Sequence, residues 1–201
     1  MVVNKFKRPL FFFLIISLLI SLHFNHKYYK KHQEEKTEFS IFLNDFYYEL
    51  DRTISSLGSL IRNEPTDDSL RDRLFGLKEH LNILDYMLRH IPYYMSDLYG
   101  GSNSISRASS IIYSGKNYRE QYIPPFGEDH TLSQKELAFL EAFKAYLEKI
   151  RDYLMSEETG QLNREIDKHM YNKLVAATLV GNTEYLSFLD AYLDYDKEVH
   201  D

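Results

Sequence analysis

The chain of 201 residues has no cysteine and no tryptophan, and only 5 prolines and 8 glycines. Without cysteine there is no disulfide framework, thiolate metal site or thiol nucleophile, so any catalysis falls to oxygen or imidazole chemistry. So little Gly and Pro excludes a collagen-like or linker protein, and a 44% hydrophobic content excludes wholesale disorder. Outside the first segment acidic residues outnumber basic ones. Residues 1 to 36 hold seven Lys or Arg and two Glu, a net of +5 out of an overall −6, which leaves −11 on the rest. An acidic body repels phosphate backbones, so nucleic acid is not an expected partner.

One long hydrophobic run is present. Leu10 to Leu22 contains nothing more polar than Ser17 and Ser21, with Lys5, Lys7 and Arg8 before it and Lys27, Lys30, Lys31 and Lys36 after it. Its length suits the apolar core of a signal peptide better than the roughly 20 residues of a full membrane span. However, Leu22-His23-Phe24-Asn25-His26 offers none of the small residues that a signal peptidase requires. The uncharged stretch extends from Pro9 to His26, and Lys7, Arg8 and Lys27 can reach the headgroups with their long stems, which makes a thin single span feasible. The sequence therefore predicts a cytoplasmic head (1–9), an uncleaved signal anchor (10–26), a basic juxtamembrane segment (27–36) and an acidic extracytoplasmic domain (37–201), with membrane lipid contacted through residues 10–31. Because both flanks are basic, the positive-inside rule does not decide the orientation. A nine-residue head is too short to hold a domain, which places the rest outside; a cleaved, secreted form is the alternative.

Beyond Thr37 the periodicity is helical, and the expected fold is all-α: the membrane helix continues into a bundle of about five helices with one long irregular loop. Phe39, Leu43, Phe46, Leu50, Ile54, Leu57 and Ile61 recur at steps of three and four, and no Pro or Gly interrupts the chain between Leu10 and Leu57. Pro65 breaks this helix, and Thr66 or Asp67 caps the next. Leu70, Leu74, Leu77, Leu81, Leu84, Leu88 and Ile91 then alternate steps of four and three. Such a heptad suits a coiled coil, but Phe75, Ile83, Tyr86 and Met87 widen the apolar face toward a bundle core. Ser133 and Glu136 form a capping box, with a Leu132 to Leu137 staple, for a helix ending near Glu157 to Gly160. Leu162, Ile166, Met170, Leu174 and Ala177 predict another helix up to a stop at Gly181, and Asn182 or Thr183 caps a last one through Leu193.

Between these helices, residues 96–131 hold Gly100, Gly101, Gly115, Pro124, Pro125, Gly127 and six serines from Ser102 to Ser114. A connection of that length is functional, disordered or conceals an element, for which Ile105 to Tyr113 is the candidate. Ser114-Gly115-Lys116-Asn117 fails as a P-loop, which needs Gly at Ser110 and Ser or Thr at Asn117. Gly100-Gly101-Ser102-Asn103-Ser104 lacks the last glycine of a nucleophile elbow. Glu165 and His169 stand four apart and are the nearest approach to a metal pair, but the repeats of bundle metal sites are missing. Asp194, Asp196, Glu198, His200 and Asp201 read as a solvated acidic tail. No catalytic pair, cofactor site or metal site is selected.

Seventeen tyrosines remain, clustered as Tyr47-Tyr48, Tyr93-Tyr94-Tyr99, Tyr113-Tyr118-Tyr122 and Tyr185-Tyr192-Tyr195. Tyrosine gives large contact area at small entropic cost and is enriched at binding surfaces, although its ring equally suits the rim of a core. The expected function is a membrane-tethered, non-enzymatic protein that binds or scaffolds another envelope protein, or itself. Its candidate contacts are the Leu70 to Ile91 heptad and the loop residues Tyr99, Tyr113, Tyr118, Tyr122 and Phe126. A ligand-sensing or enzymatic bundle, with the loop closing over a pocket, is the competing expectation.

Overall fold

The computed structural model describes residues 3–118, 121–179 and 184–198. Helix α1 (Val3–Asn63) is unbroken: no Pro or Gly stands between Leu10 and Leu57, and Gly58 near its end is accommodated within the helix. The chain forms two compact units, Met1–Ile41 and Phe42–Asp201, with the boundary inside α1. In the first unit, the side chains from Phe11 to Leu22 are all exposed, Phe13 by 68%. This part of α1 is long and apolar enough to cross a membrane, and none of its 18-residue apolar window is buried in the protein.

In the second unit, the remainder of α1 buries Leu43, Phe46, Leu50, Ile54 and Leu57, and Leu60 takes the inward place expected of Ile61, which is half-buried. Glu64-Pro65-Thr66 turns the chain into α2 (Asp67–Tyr94), with Glu64 in the left-handed region at φ 38°. So short a turn makes the two helices antiparallel neighbours. Two cross-links agree, one near the turn and one midway along α2: Arg73 hydrogen-bonds Ser59, and Glu49 Oε1 lies 2.6 Å from His80 Nδ1. All seven heptad residues of α2 are buried, four of them completely. Each contributes about 1.5–3 kcal/mol by leaving water. The heptad is thus the molecule's own core.

The expected irregular loop at 96–131 is largely structured. It contains α3 (Asn103–Ser114) and a small hairpin of β1 (Lys116–Tyr118) and β2 (Gln121–Ile123), paired Lys116 with Ile123 and Tyr118 with Gln121. Serine-rich composition lowers helix propensity, but Ile105, Ala108, Ile111 and Ile112 make a buried face that outweighs it. Ser102, at the N-cap of α3, gives its hydroxyl to Asp85 of α2 rather than to its own helix. The chain reaches this point by running close under α2. A Cβ on Gly100 would meet Pro92 Cγ at 2.5 Å and the Leu88 carbonyl at 2.6 Å, so only glycine fits there.

Helix α4 (Gln134–Leu154) begins with the expected capping box, and Leu132 and Leu137 are buried on either side of it. Glu136 does more than cap. Its carboxylate accepts from the Ser133 amide and hydroxyl and also from the Gly127 amide at 3.0 Å, tying the end of the 96–131 stretch to the helix. Phe139, Phe143 and Tyr146 of α4 pack on Phe188 of α6 (Glu184–Glu198), with ring centroids 5.3–5.9 Å apart.

Helix α5 (Lys168–Leu174) is shorter than the expected Leu162 to Ala177. Asp167 caps it, accepting from the Met170 amide at 2.8 Å, while Leu162 pairs with Met155 in an isolated bridge upstream. Gly160, at φ 66°, turns the chain between them. A π-helical turn, Val175–Leu179, follows α5, and the Tyr146 hydroxyl donates to its Thr178 carbonyl at 3.0 Å. The predicted stop at Gly181 and caps at Asn182 or Thr183 lie outside the described residues, as do His200 and Asp201 of the acidic tail.

Candidate protein-binding face

Helix α2 has two apolar faces. With 100° per residue, Phe75, Tyr86, His90 and Tyr93 fall within about 60° of one another and roughly opposite the buried leucine seam. Ile83 and Tyr94 flank them. In the structure Phe75 is 62% exposed, Tyr86 56%, Tyr93 83% and Tyr94 73%. Of the four residues expected to widen the core, Met87 is half-buried while Phe75, Ile83 and Tyr86 face solvent, and with His90, Tyr93 and Tyr94 they form a ridge about 28 Å long.

The ridge is ordered by its own contacts. The His90 ring lies 4.2 Å from that of Tyr86 and 5.7 Å from that of Tyr93, centroid to centroid. A hydrogen bond between Tyr86 and Tyr94 raises the Tyr86 phenol above its ordinary range, with smaller contributions from the charge of Tyr94 and from desolvation. On one flank Arg89 is held by Asp85 at 2.9 Å and by Ser106 of α3 at 2.9 Å. On the N-terminal half of the same outer face stand the exposed carboxylates Asp72 and Glu79. Gly76, beside Phe75, has nothing within 4 Å of where a Cβ would sit. A mid-helix glycine costs roughly 1 kcal/mol relative to alanine, and here no neighbour in the fold requires it. It leaves a notch beside the ridge.

The five contact residues expected from the sequence do not gather in one place. Phe126 is buried, edge-on to Phe139 at 5.1 Å. Tyr113 is half-buried: its hydroxyl donates to the Leu74 carbonyl at 2.9 Å and Lys78 lies 5.2 Å over its ring. Burial pushes its phenol up strongly. Tyr113 and Phe126 both line a cleft of about 360 Å³ with Leu70, Phe75, Lys78 and His130. Tyr118 is half-buried in β1, and Tyr122 of β2 is 62% exposed. Tyr99 is 57% exposed just beyond α2, where a latch fixes its backbone. Its amide donates to Asn172 Oδ1 at 2.7 Å, Asn172 Nδ2 donates to the Asp97 carbonyl, and Lys168 binds the Asp97 carboxylate at 2.9 Å. That Lys168 hydrogen bond holds the Asp97 carboxyl below its ordinary range.

Glu165 lies two residues before the N-cap of α5, so it does not share a helical face with His169. The histidines and acids of the described residues form no group of three or more placed to hold a metal. In the sequence only Ile83, Tyr86, His90 and Tyr93 repeat at steps of three and four, and Phe75 stands eight residues before Ile83. The ridge was masked because exposed and core aromatics obey the same period. The chain matches no protein-family model, curated protein or solved structure, so its own surface carries the functional argument.

Proposed function

We propose that this protein is a membrane-tethered, non-enzymatic helical module that binds a protein partner through the outer face of α2. The single observation that carries this reading is the ridge itself. A soluble helix normally turns one apolar stripe inward and a polar face outward. In α2 the outward face instead presents Phe75, Ile83, Tyr86, Tyr93 and Tyr94, all between 45% and 83% exposed. Exposed apolar and aromatic side chains clustered on one helix face mark interaction sites, and here Ile83, Tyr86, Tyr93 and Tyr94 form the cluster, with Phe75 beyond Glu79 and Asn82. The unsupported glycine at position 76 fits close approach by a second backbone or bulky side chain.

The tether is the apolar part of α1. We read it as an uncleaved, single-pass signal anchor with the 37–201 domain on the extracytoplasmic side. The exposed run from Phe11 to Leu22 supports this, since surface of that composition is costly in water. Restricting the module to a membrane plane raises its effective concentration toward any partner in the same plane, so a modest contact area suffices.

The test combines location and contact. Protease treatment of intact cells carrying a C-terminal tag should digest the domain, while the membrane fraction of untreated cells retains the full-length mass. A photo-reactive phenylalanine analogue at Tyr93 should then form an adduct, and one at Tyr153, an exposed tyrosine on α4, should not. Release of a shortened chain into the medium would overturn the anchor, and absence of any Tyr93 adduct would overturn the face.

A further inference from the structure

We infer that the end of the apolar run on α1 is a binding site for the phosphate of anionic phospholipids, formed by His23, His26, Lys27 and Lys30 and strengthened as the imidazoles take up protons. The inference rests on the reading of α1 as a membrane anchor and names the lipid that the anchor recognises. Two observations carry it: the distribution of charge over residues 23–36, and the placement of four of these groups on one face of the helix.

The segment after the apolar run is less basic than its lysines suggest. Residues 23–36 hold four lysines and two glutamates, a net of +2, and three histidines whose protonation raises it to +5. Two of the lysines are also shared. Lys30 lies 3.7 Å from Glu34 and Lys31 lies 3.7 Å from Glu35, each pair at four-residue spacing. Contacts of that length between solvent-facing groups contribute little, so they lower the local positive charge without fixing either lysine in place. Imidazole is the side chain that gains its charge between about pH 8 and 5. Three of the five net positive charges that this segment can present to a bilayer therefore appear only as pH falls.

Two of the three imidazoles stand where a headgroup phosphate lies. At 100° per residue, His23, His26, Lys27 and Lys30 fall within about 100° of arc and about 10 Å along α1, whereas His32 is on the opposite side. All four are exposed. The first unit contains no described element other than α1, so the charged groups facing these imidazoles are its own: Lys27 and Lys30 beside them, and Glu34 one turn farther from the apolar run. The neighbouring face carries Phe24, its ring 6.0 Å from that of His23, and Tyr28, 63% and 76% exposed. Rings and cations together are the composition of a membrane edge. With neutral imidazoles the uncharged stretch from Pro9 to His26 has 18 residues, or about 27 Å of helix. With both charged it ends at Leu22 and has 14 residues, or about 21 Å. Hydrocarbon does not accept the two charges, so protonation brings His23 and His26 to headgroup depth beside Lys27. A phosphodiester is the anion at that depth, and its oxygens accept from imidazolium and ammonium alike.

The natural absence of cysteine permits a single-site label. Asn25→Cys, on the side of α1 away from the four residues, carries a fluorophore in the full-length chain. The chain is reconstituted in vesicles of phosphatidylcholine with a minority of phosphatidylglycerol, whose phosphodiester stays ionised from pH 8 to pH 5. Quenching is compared when the quencher is attached to phosphatidylglycerol and when it is attached to phosphatidylcholine. The ratio reports enrichment of the anionic lipid beside the helix. One cationic charge near an anionic surface changes partitioning about fivefold, so two imidazoles should raise the ratio by roughly threefold or more between pH 8 and pH 5. His23→Gln with His26→Gln should abolish that rise, whereas His32→Gln should preserve it. Lys27→Gln with Lys30→Gln should lower the ratio at both pH values and leave the rise in place.

A ratio that does not change with pH, or a rise that survives His23→Gln with His26→Gln, would overturn the site. Equal loss of the rise in His32→Gln would mean diffuse attraction to the whole segment and overturn the assigned face. Soluble glycerol phosphate in excess should not compete; if it abolishes the enrichment, the site takes free phosphate and the lipid assignment falls. Alkaline extraction of the same vesicles tests the anchor by itself. A chain stripped into solution removes the anchor and the site with it, whereas a chain retained in the bilayer with an invariant ratio removes the site alone.

Discussion

At the scale of single residues, the side chains that matter most are those with several partners. Glu136 accepts three hydrogen bonds, two from Ser133 and one from the Gly127 amide. Replacing Ser133 with Ala should cost the usual ~0.5–2 kcal/mol of an N-cap. Glu136→Ala should cost more than Ser133→Ala in urea unfolding, because it also releases Gly127. Gly127 itself sits at φ 73°, and a Cβ there would meet Leu70 Cδ2 at 2.8 Å. Two phenols give the alkaline limb its shape. Burial raises both Tyr113 and Tyr171 above their ordinary value near 10. In the unfolded chain they ionise first, so their contribution to stability is intact below pH 10 and falls as pH rises beyond it. Tyr113→Phe should flatten that decline in thermal melts from pH 9 to 11. Near neutral pH it should cost about 1 kcal/mol for the bond to the Leu74 carbonyl.

At the scale of elements, α2 divides cleanly into a face that folds the protein and a face that does not. Leu77 and Leu81 are completely buried. Truncating either to Ala should cost about 2–5 kcal/mol, and Asp at either site should abolish helical circular dichroism. Tyr93→Asp, on the other face, should shift stability by no more than about 0.5 kcal/mol in the same denaturation experiment. Gly76→Ala should stabilise the monomer by up to about 1 kcal/mol and weaken association, a pairing of signs that a merely structural glycine would not give. The leucine rhythm, the Pro65 break and the Ser133 capping box were legible because each is a local pattern with one structural solution. The element at Ile105 to Tyr113 was legible within the long connection and is α3, but whether it was helix or strand was not, since its serines argue against a helix and only burial of its isoleucine face settles that. The start of α5 was misplaced because Leu162 keeps the four-residue spacing by coincidence, while Asp167 captures the Met170 amide and starts the helix later. The outer ridge was visible as residues but not as a face, because periodicity alone does not distinguish inward from outward.

At the scale of the whole molecule, the sequence divides by charge before it divides by fold. A net +5 in the first 36 residues and −11 beyond them place the basic residues next to the apolar run. Anionic headgroups attract basic segments of this kind and repel acidic ones. Raising ionic strength should therefore weaken any lipid contact through Lys27, Lys30 and Lys31 while leaving the ridge contacts, which are mainly apolar, nearly unchanged. Vesicle flotation of the full chain at low and high salt, set beside the yield of the photo-adduct at Tyr93, separates the two.

The two-sided character of α2 also bears on how the chain reaches its native state. Before docking, this helix offers the rest of the domain two apolar stripes of similar length, and hydrophobic collapse by itself does not choose between them. The choice is made by oxygen. Turned inward, the outer face would carry the carboxylates of Asp72 and Glu79 and the hydroxyls of Tyr86, Tyr93 and Tyr94 into a core built for leucine, whereas the seam carries none. These groups together act as a kinetic filter, penalising the inverted intermediate before native packing is complete. Replacing Asp72 and Glu79 by Leu and the three tyrosines by Phe leaves every native core contact in place, yet refolding should become slower and lose yield to aggregation, as stopped-flow fluorescence and light scattering would report.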